Sequence, residues 1–305
     1  MTRLVLLHKQ DSIYDDLPDQ RYHFPNRSYL SALREAVGDW IVYHEPGAGG
    51  GRRSYFAIAR VVSVEPDPER DDHSYATVAD YLDFSDLVPL HDPNGDHYES
   101  DLQQPDGSTN RGRIQRAVRR ISDADYLSIR AAGLRSAHKY LDDLRSEEVA
   151  DGLAEDQAPY DRPMVSSTGS RPFRDVAFRH AVLRAYDSHC AFTDLKVVNG
   201  RQRVEVDAAH IRPVGDNHRG SDSIRNGLAL SKTVHWLFDR GIIAVSDDFE
   251  ILESPGRLPD KLKPLFRDDG LIRMPERRSE WPSPVNLRYH RDMFEDCYGR
   301  FSKLN

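Results

Sequence analysis

VEVDAAHIRPVGDNHRGSDSIRNGLALSKTVHWLFDRGIIAV, residues 204–245, is the stretch whose reading decides the fold of the second half of the chain. Short apolar runs at Val204-Glu-Val206 and Ile242-Ile243-Ala-Val245 read as strands. Between them stand three chemically capable side chains, His210, Asn226 and His235, separated by 16 and then 9 positions. Each has its own local signature: AAHI-x-P, then NGLAL, then H-x-x-FD-x-G. Upstream, FRDVAFRHAVLRAYDSHC (residues 173–190) places Val176, Phe178, Val182, Leu183 and Tyr186 close to helical spacing.

These signatures, in this order over about 75 residues, resemble the HNH nuclease family. The resemblance implies that His210 ends a β-strand, that Asn226 lies in the loop across a hairpin, and that His235 rides on the following helix. It also implies hydrolysis of phosphodiesters. That reaction needs an activated water and neutralisation of the charge that builds on the phosphate and the leaving 3′ oxygen. Histidine as a residue type titrates near neutrality and can accept the proton, so His210 is the expected general base. His235 is the expected ligand of one divalent metal ion, Mg, Mn or Ni, acting as Lewis acid. Asn226, counted with the two histidines as a catalytic residue, either ties the loop or joins the metal. Many HNH enzymes carry a metal ligand directly before the base, but here that residue is Ala209. The missing ligand is Asp207, although strand alternation sets it opposite His210, or Asn226, or Asp239, one helical turn after His235.

Other polar residues of this half carry less chemistry. Cys190 and Cys297 make no metal-spaced pair, so no structural zinc is expected, and Cys190 reads as a core residue. His218 reads as a loop residue. Arg212, Arg219 and Arg225 bracket the expected site and are candidates for backbone phosphates. Residues 171–245 hold twelve Lys and Arg against eight Asp and Glu, in a chain whose net charge is -8. A polarised charge of this kind is compatible with a nucleic-acid partner where a uniformly acidic one would not be. A second basic cluster, Arg111-Gly-Arg113-Ile-Gln-Arg116-Ala-Val-Arg119-Arg120, supplies the backbone candidates Arg111, Arg113 and Arg116.

The chain has 305 residues, 38% of them hydrophobic and 30% charged, which predicts two domains. We expect residues 1–145 as the first, 146–171 as an acidic and Pro/Ser/Gly-containing linker, and 172–305 as the nuclease. In the first, LVLLH, GDWIVYHEP and YFAIARVVSVEP read as strands, with Pro46–Gly51 as a connecting loop. From Asn110 to Leu144 the pattern reads as helical. The expected fold class is α+β, a small curved sheet or barrel with flanking helices joined to a ββα-metal domain. No apolar run is long enough to cross a membrane, no signal peptide is evident, and a cytoplasmic location is expected.

GDWIVYHEP followed by YFAIARVVSV resembles the PUA superfamily, which includes the SRA and EVE readers of modified bases. A reader followed by HNH is the arrangement of modification-dependent restriction endonucleases. The resemblance implies double-stranded DNA as partner, with 5-methyl- or 5-hydroxymethylcytosine flipped into a pocket of aromatic faces and a carboxylate. Tyr14, Asp15, Tyr22, Phe24, Trp40 and Tyr43 are the candidates, the first four within the turn-rich SIYDDLPDQRYHFP. Two other readings stand beside this one: an HNH enzyme acting on unmodified DNA, and a DNA-binding protein without catalysis. A single HNH site nicks one strand, so double-strand cutting implies a homodimer or two binding events.

Overall fold

The computed structural model describes residues 1–9, 12–47, 51–139, 171–199, 204–215 and 218–304. They divide into two compact units, Met1–Ala177 and Phe178–Asn305. The expected linker, residues 146–171, lies outside the described residues apart from Arg171, the first residue of a helix.

The first unit is built on a mixed six-stranded sheet. Its strands are β1 (Arg3–Leu7), β2 (Arg21–Pro25), β3 (Trp40–Glu45), β4 (Ser54–Pro66), β5 (His73–Val88) and β6 (Val118–Ile121), in spatial order β2-β5-β4-β3-β1-β6. β1 and β3 pair in parallel because helix α1 (Asn26–Glu35) lies in the connection between them; the other pairs are antiparallel. Register shifts interrupt the long β4–β5 ladder at three places, and such bulges curl the sheet into a half-barrel. Alternation along β1 sends Leu4 and Leu6 to one face and Val5 to the other, so each face carries its own core. Leu33 of α1 joins the first core, and Tyr126 and Ile129 of α3 (Asp123–Gly133) join the second. Ser122 and Asp125 close a capping box at the start of α3. At Gly38 the chain takes φ +90 on its way into β3, a conformation that favours glycine.

The three expected strands are present as β1, β3 and β4. The helical reading from Asn110 to Leu144 holds in α3 and is corrected before it: there only Arg111–Ile114 forms a short helix, α2, and residues 118–121 form β6, which covers the outer edge of β1. An open sheet edge wins over a local helical pattern because its unpaired N–H and C=O groups need a partner strand.

Helix α4 (Arg171–Ala185) runs through the boundary between the units, and its residues from Phe178 belong to the second. There a two-stranded hairpin, β7 (Asp207–His210) with β8 (Gly227–Leu230), leads into helix α5 (Lys232–Asp239). This is a ββα arrangement. A three-stranded sheet of β9 (Ile243–Val245), β10 (Ile251–Glu253) and β11 (Ser302–Lys303), and helix α6 (Pro284–Tyr298), complete the unit. Phe178, Val182, Leu228, Leu230, Val234, Leu237 and Phe238 lie in a single core that ties α4, the hairpin and α5 together. A side chain at Gly227 would not fit, since its Cβ would come 2.4 Å from Val182 Cγ2 and 3.0 Å from Phe178 Cζ. The absence of one lets α4 sit flat on the hairpin where β8 faces His210.

Candidate active site

His210 is the last residue of β7, opposite Gly227. Its ring stacks on Phe178 with centroids 3.8 Å apart and planes 5° from parallel. Its Nε2 lies 3.0 Å from Oδ1 of Asp222, whose carboxylate is buried. A carboxylate only accepts, so this bond places the imidazole proton on Nε2 and leaves Nδ1 as the basic nitrogen. Two contacts, one flat and one directional, therefore fix the ring's plane and its tautomer. Asp222 was not among the sequence candidates, because it sits in the long loop between the strands and nothing local marks its direction.

His235 and Asp239 occupy one face of α5, four residues apart, with Nε2 3.4 Å from Oδ2. Burial raises the Asp239 carboxyl above its ordinary range, and the positive charges of His235, Arg240 and His210 pull the other way without cancelling it. Asp239 is thus brought under the influence of both histidines. No group of three His, Cys, Asp or Glu side chains forms a ready cation cage among the described residues. The imidazole and carboxylate of His235 and Asp239 nonetheless fit a divalent ion. They combine a nitrogen and an oxygen donor on one turn of helix, 3.4 Å apart, and the carboxylate is 55% exposed and open to an ion.

Asp207 goes elsewhere. Its Oδ1 is 2.9 Å from Arg179 Nε on α4, and it points away from the face that carries His210. Of the three ligand candidates the sequence leaves open, Asp207 is thus the one paired with Arg179. Asn226 is fully buried and bound to backbone on all sides: Nδ2 donates to the carbonyls of Arg212 and Ser221, and Oδ1 accepts from Arg212 N, each at 2.9 Å. Of its two open roles the geometry fits the loop tie, with both amide hydrogens committed to backbone.

The neighbouring loop holds the other candidates. Arg212 stacks over Tyr289 at 4.1 Å and donates to the carbonyl of His218, whose Nδ1 lies 2.9 Å from the Tyr289 hydroxyl. Both residues are thereby engaged in shaping the loop. Arg219 sits at φ +57, and Arg225 has a buried Nε without a hydrogen-bond partner among the described residues. Cys190 is core, as read from the sequence.

In the first unit the six pocket candidates do not all converge. Phe24 is wholly buried in the first core, and Trp40 packs against the second, on the other face of the sheet. Tyr14 meets His23 edge-on, and Asp15 pairs with Arg21. Tyr22 and Tyr43 do come together, 6.5 Å apart, with Phe56 and Tyr81 at 5.8 and 6.0 Å from Tyr43. The Tyr43 hydroxyl is buried with no hydrogen-bond partner among the described residues. Burial, then the negative charges of Asp16 and Asp19, push its pKa up. Phe56, Tyr81, Asp16 and Asp19 escaped the sequence reading, although both acids lie in the turn-rich segment it singled out.

Arg113 and Arg116 line a groove of about 660 Å³ with Ser28, Tyr29, Asp101 and Arg120. Arg113 pairs with Asp101, Arg120 with Glu35 at 2.7 Å, and the nearby Arg119 is buried against Glu99. Arg111 precedes the groove on α2.

Residues 190–246 match the family profile described as HNH endonuclease. None of the curated proteins compared matches the chain. Among solved structures, a modification dependent TagI restriction endonuclease is 14% identical, covering 95% of this chain and 80% of its own, with a TM-score of 0.31. Rpa0253 from Rhodopseudomonas palustris is 11% identical over 44% of this chain and 93% of its own, with a TM-score of 0.31. Atu2648 from Agrobacterium tumefaciens is 15% identical over 44% and 94%, with a TM-score of 0.30. With the hairpin, the helix and both histidines in place, residues 190–246 are an HNH endonuclease domain and the chain is a nuclease.

Proposed function

We propose that this chain is a divalent-metal-dependent DNA endonuclease that cuts DNA carrying 5-methylcytosine or 5-hydroxymethylcytosine, with the first unit as reader of the base. The observation that carries the chemistry is His210, held by Phe178 and Asp222, beside the His235–Asp239 pair. Nδ1 of His210 takes a proton from water as its oxygen bonds to phosphorus, and the bond from phosphorus to the 3′ oxygen breaks. Asp222 stabilises the imidazolium that results. His235 and Asp239 would hold the ion, Mg, Mn or Ni, which when bound supplies Lewis-acid stabilisation of the charge on the phosphate and the leaving oxygen. Asn226 keeps the loop between the strands in register with the base. One such site cuts one strand, so double-strand cutting calls for two copies or two encounters.

Support for the reader comes from Tyr43. A fully buried phenol without a hydrogen-bond partner among the described residues is costly, on the order of 1–3 kcal/mol, and a flipped base entering beside Tyr22, Phe56 and Tyr81 would satisfy it. Asp16 and Asp19 are suited to accept from a cytosine amino group. The arginines around the groove are suited to the phosphates on either side. Digestion of identical duplexes carrying cytosine, 5-methylcytosine, 5-hydroxymethylcytosine or N6-methyladenine tests the reading, with Mg²⁺, Mn²⁺ or Ni²⁺ supplied. Preferential cutting of the 5-modified cytosines is expected. Equal cutting of all four would sink the modified-base reading, and binding with no cutting by any metal would sink catalysis.

A further inference from the structure

Helix α5 has three faces. Val234, Leu237 and Phe238 are buried, and His235 with Asp239 forms the stripe described above. A third stripe lies about 100° farther round, formed by Trp236 and, four residues on, Arg240. Trp236 is 57% exposed. The other two tryptophans are placed differently: Trp40 packs on a core, and Trp281 donates its Nε1–H to Pro275 O at 2.9 Å. An indole left in water on a rigid helix, one residue from a metal-ligand candidate, is not explained by packing. The Arg240 guanidinium lies 5.9 Å from its ring centroid, so the exposed stripe is aromatic and cationic together.

We propose that Trp236 is a DNA-stacking residue of this nuclease. Its indole lies against a base beside the scissile phosphodiester, and Arg240 takes a neighbouring phosphate. The occupant follows from position and charge. The strand presented to His210, His235 and Asp239 must pass the next stripe of the same helix, and a flat π face with a cation beside it suits a base and its phosphate. Because the indole gains most where a base is readily unstacked, Trp236 biases cutting toward flexible steps such as TA and CA/TG. It is a positioning and specificity residue, outside the proton transfers, and the inference rests on the nuclease assignment.

The test uses the full chain. In single-turnover cleavage, Trp236→Ala is expected to lower kcat/KM roughly 10- to 100-fold, mostly through KM, and to flatten the preference among dinucleotide steps. Trp236→Phe keeps a stacking face and should stay within a few-fold of the parent, whereas Trp236→Leu should behave as the alanine variant. Binding is read separately with the non-cutting His210→Ala chain carrying Trp40→Phe and Trp281→Phe, so that Trp236 is the reporter. Duplex DNA added with Mg²⁺ should quench its emission in step with binding followed by anisotropy. An unchanged KM in Trp236→Ala, a leucine variant as good as phenylalanine, or saturated binding without quenching would each overturn the proposal. So would a change of oligomeric state in Trp236→Ala, since the indole would then cover a second copy. Quenching in the reporter chain, with a parent chain that never cuts, would sink the nuclease assignment and leave the stacking contact standing.

Discussion

Asp222 stands twelve positions beyond His210 along the chain, yet its carboxylate decides which ring nitrogen carries the proton. Asp222→Asn keeps the shape and removes the charge that supports an imidazolium. We expect a roughly 10- to 100-fold fall in the cleavage rate with DNA affinity unchanged; an unaltered rate would show that Phe178 alone orients the ring. Asn226 gives a prediction of another kind. Asn226→Ala strips partners from two carbonyls and one N–H inside a buried loop, which should cost roughly 2–4 kcal/mol in a denaturant titration. Asn226→Asp should be nearly as damaging, because a carboxylate cannot donate to the carbonyls of Arg212 and Ser221. If either variant melts like the parent but loses metal affinity, the residue is a ligand and the loop-tie role is wrong.

Among the elements, α6 supports the back of the site helix. His290 stacks on Phe238 of α5 at 3.8 Å and donates Nε2–H to its backbone carbonyl at 3.0 Å. Burial pushes the His290 pKa down to about 4, from an ordinary value of 6.5, with the bond to Phe238 working in the opposite direction. The fold therefore holds the neutral ring while the unfolded chain binds a proton below about pH 6.5. The stability this contributes is complete above that pH and is lost as pH falls toward 4, on the order of 3 kcal/mol in all. His290→Gln retains a donor without a titrating ring. Thermal melts of the second unit should be less sensitive to acid in this variant than in the parent, and equal sensitivity would place the acid-labile group elsewhere. Elements also show where local reading fails. Val118–Ile121 sits among basic residues with a helical look, but β1 needs a neighbour at its edge, and the ladder overrules the local pattern. β5, the longest strand, went unread because its polar residues and bulges break the alternation on which a strand is recognised.

Over the whole molecule the charge is negative, and its basic residues are gathered in places: around the hairpin of the second unit and along the groove of the first. If the groove and the start of α2 beside it hold backbone phosphates, reversing Arg111 and Arg116 to Glu should weaken DNA binding across all sequences and lower the slope of log affinity against log salt by about 2. Cutting once bound should be unaffected, since neither residue belongs to the nuclease unit. A slope that does not change would remove the groove from the interface. The first unit has an acid-sensitive imidazole of its own. Burial, with Arg119 adding, holds His44 at about 3, so this unit too loses stability as pH drops below about 6.5.

What the sequence determined by itself was the nuclease: His210, Asn226 and His235 belong to one hairpin and the helix after it, and within so short a span chain geometry alone dictates their relative placement. The same locality made Asp239 readable as a neighbour of His235. What sets it apart from Asp207 is visible only in the tertiary structure: Arg179 on α4 pairs with one carboxylate, while the other stands exposed beside His235 on the same helical face. Asp222 and the Tyr43 cluster were likewise decided by folding alone. Their members come from loops and strands far apart in the chain, and no periodicity records which of them a curved sheet or a long loop will bring face to face.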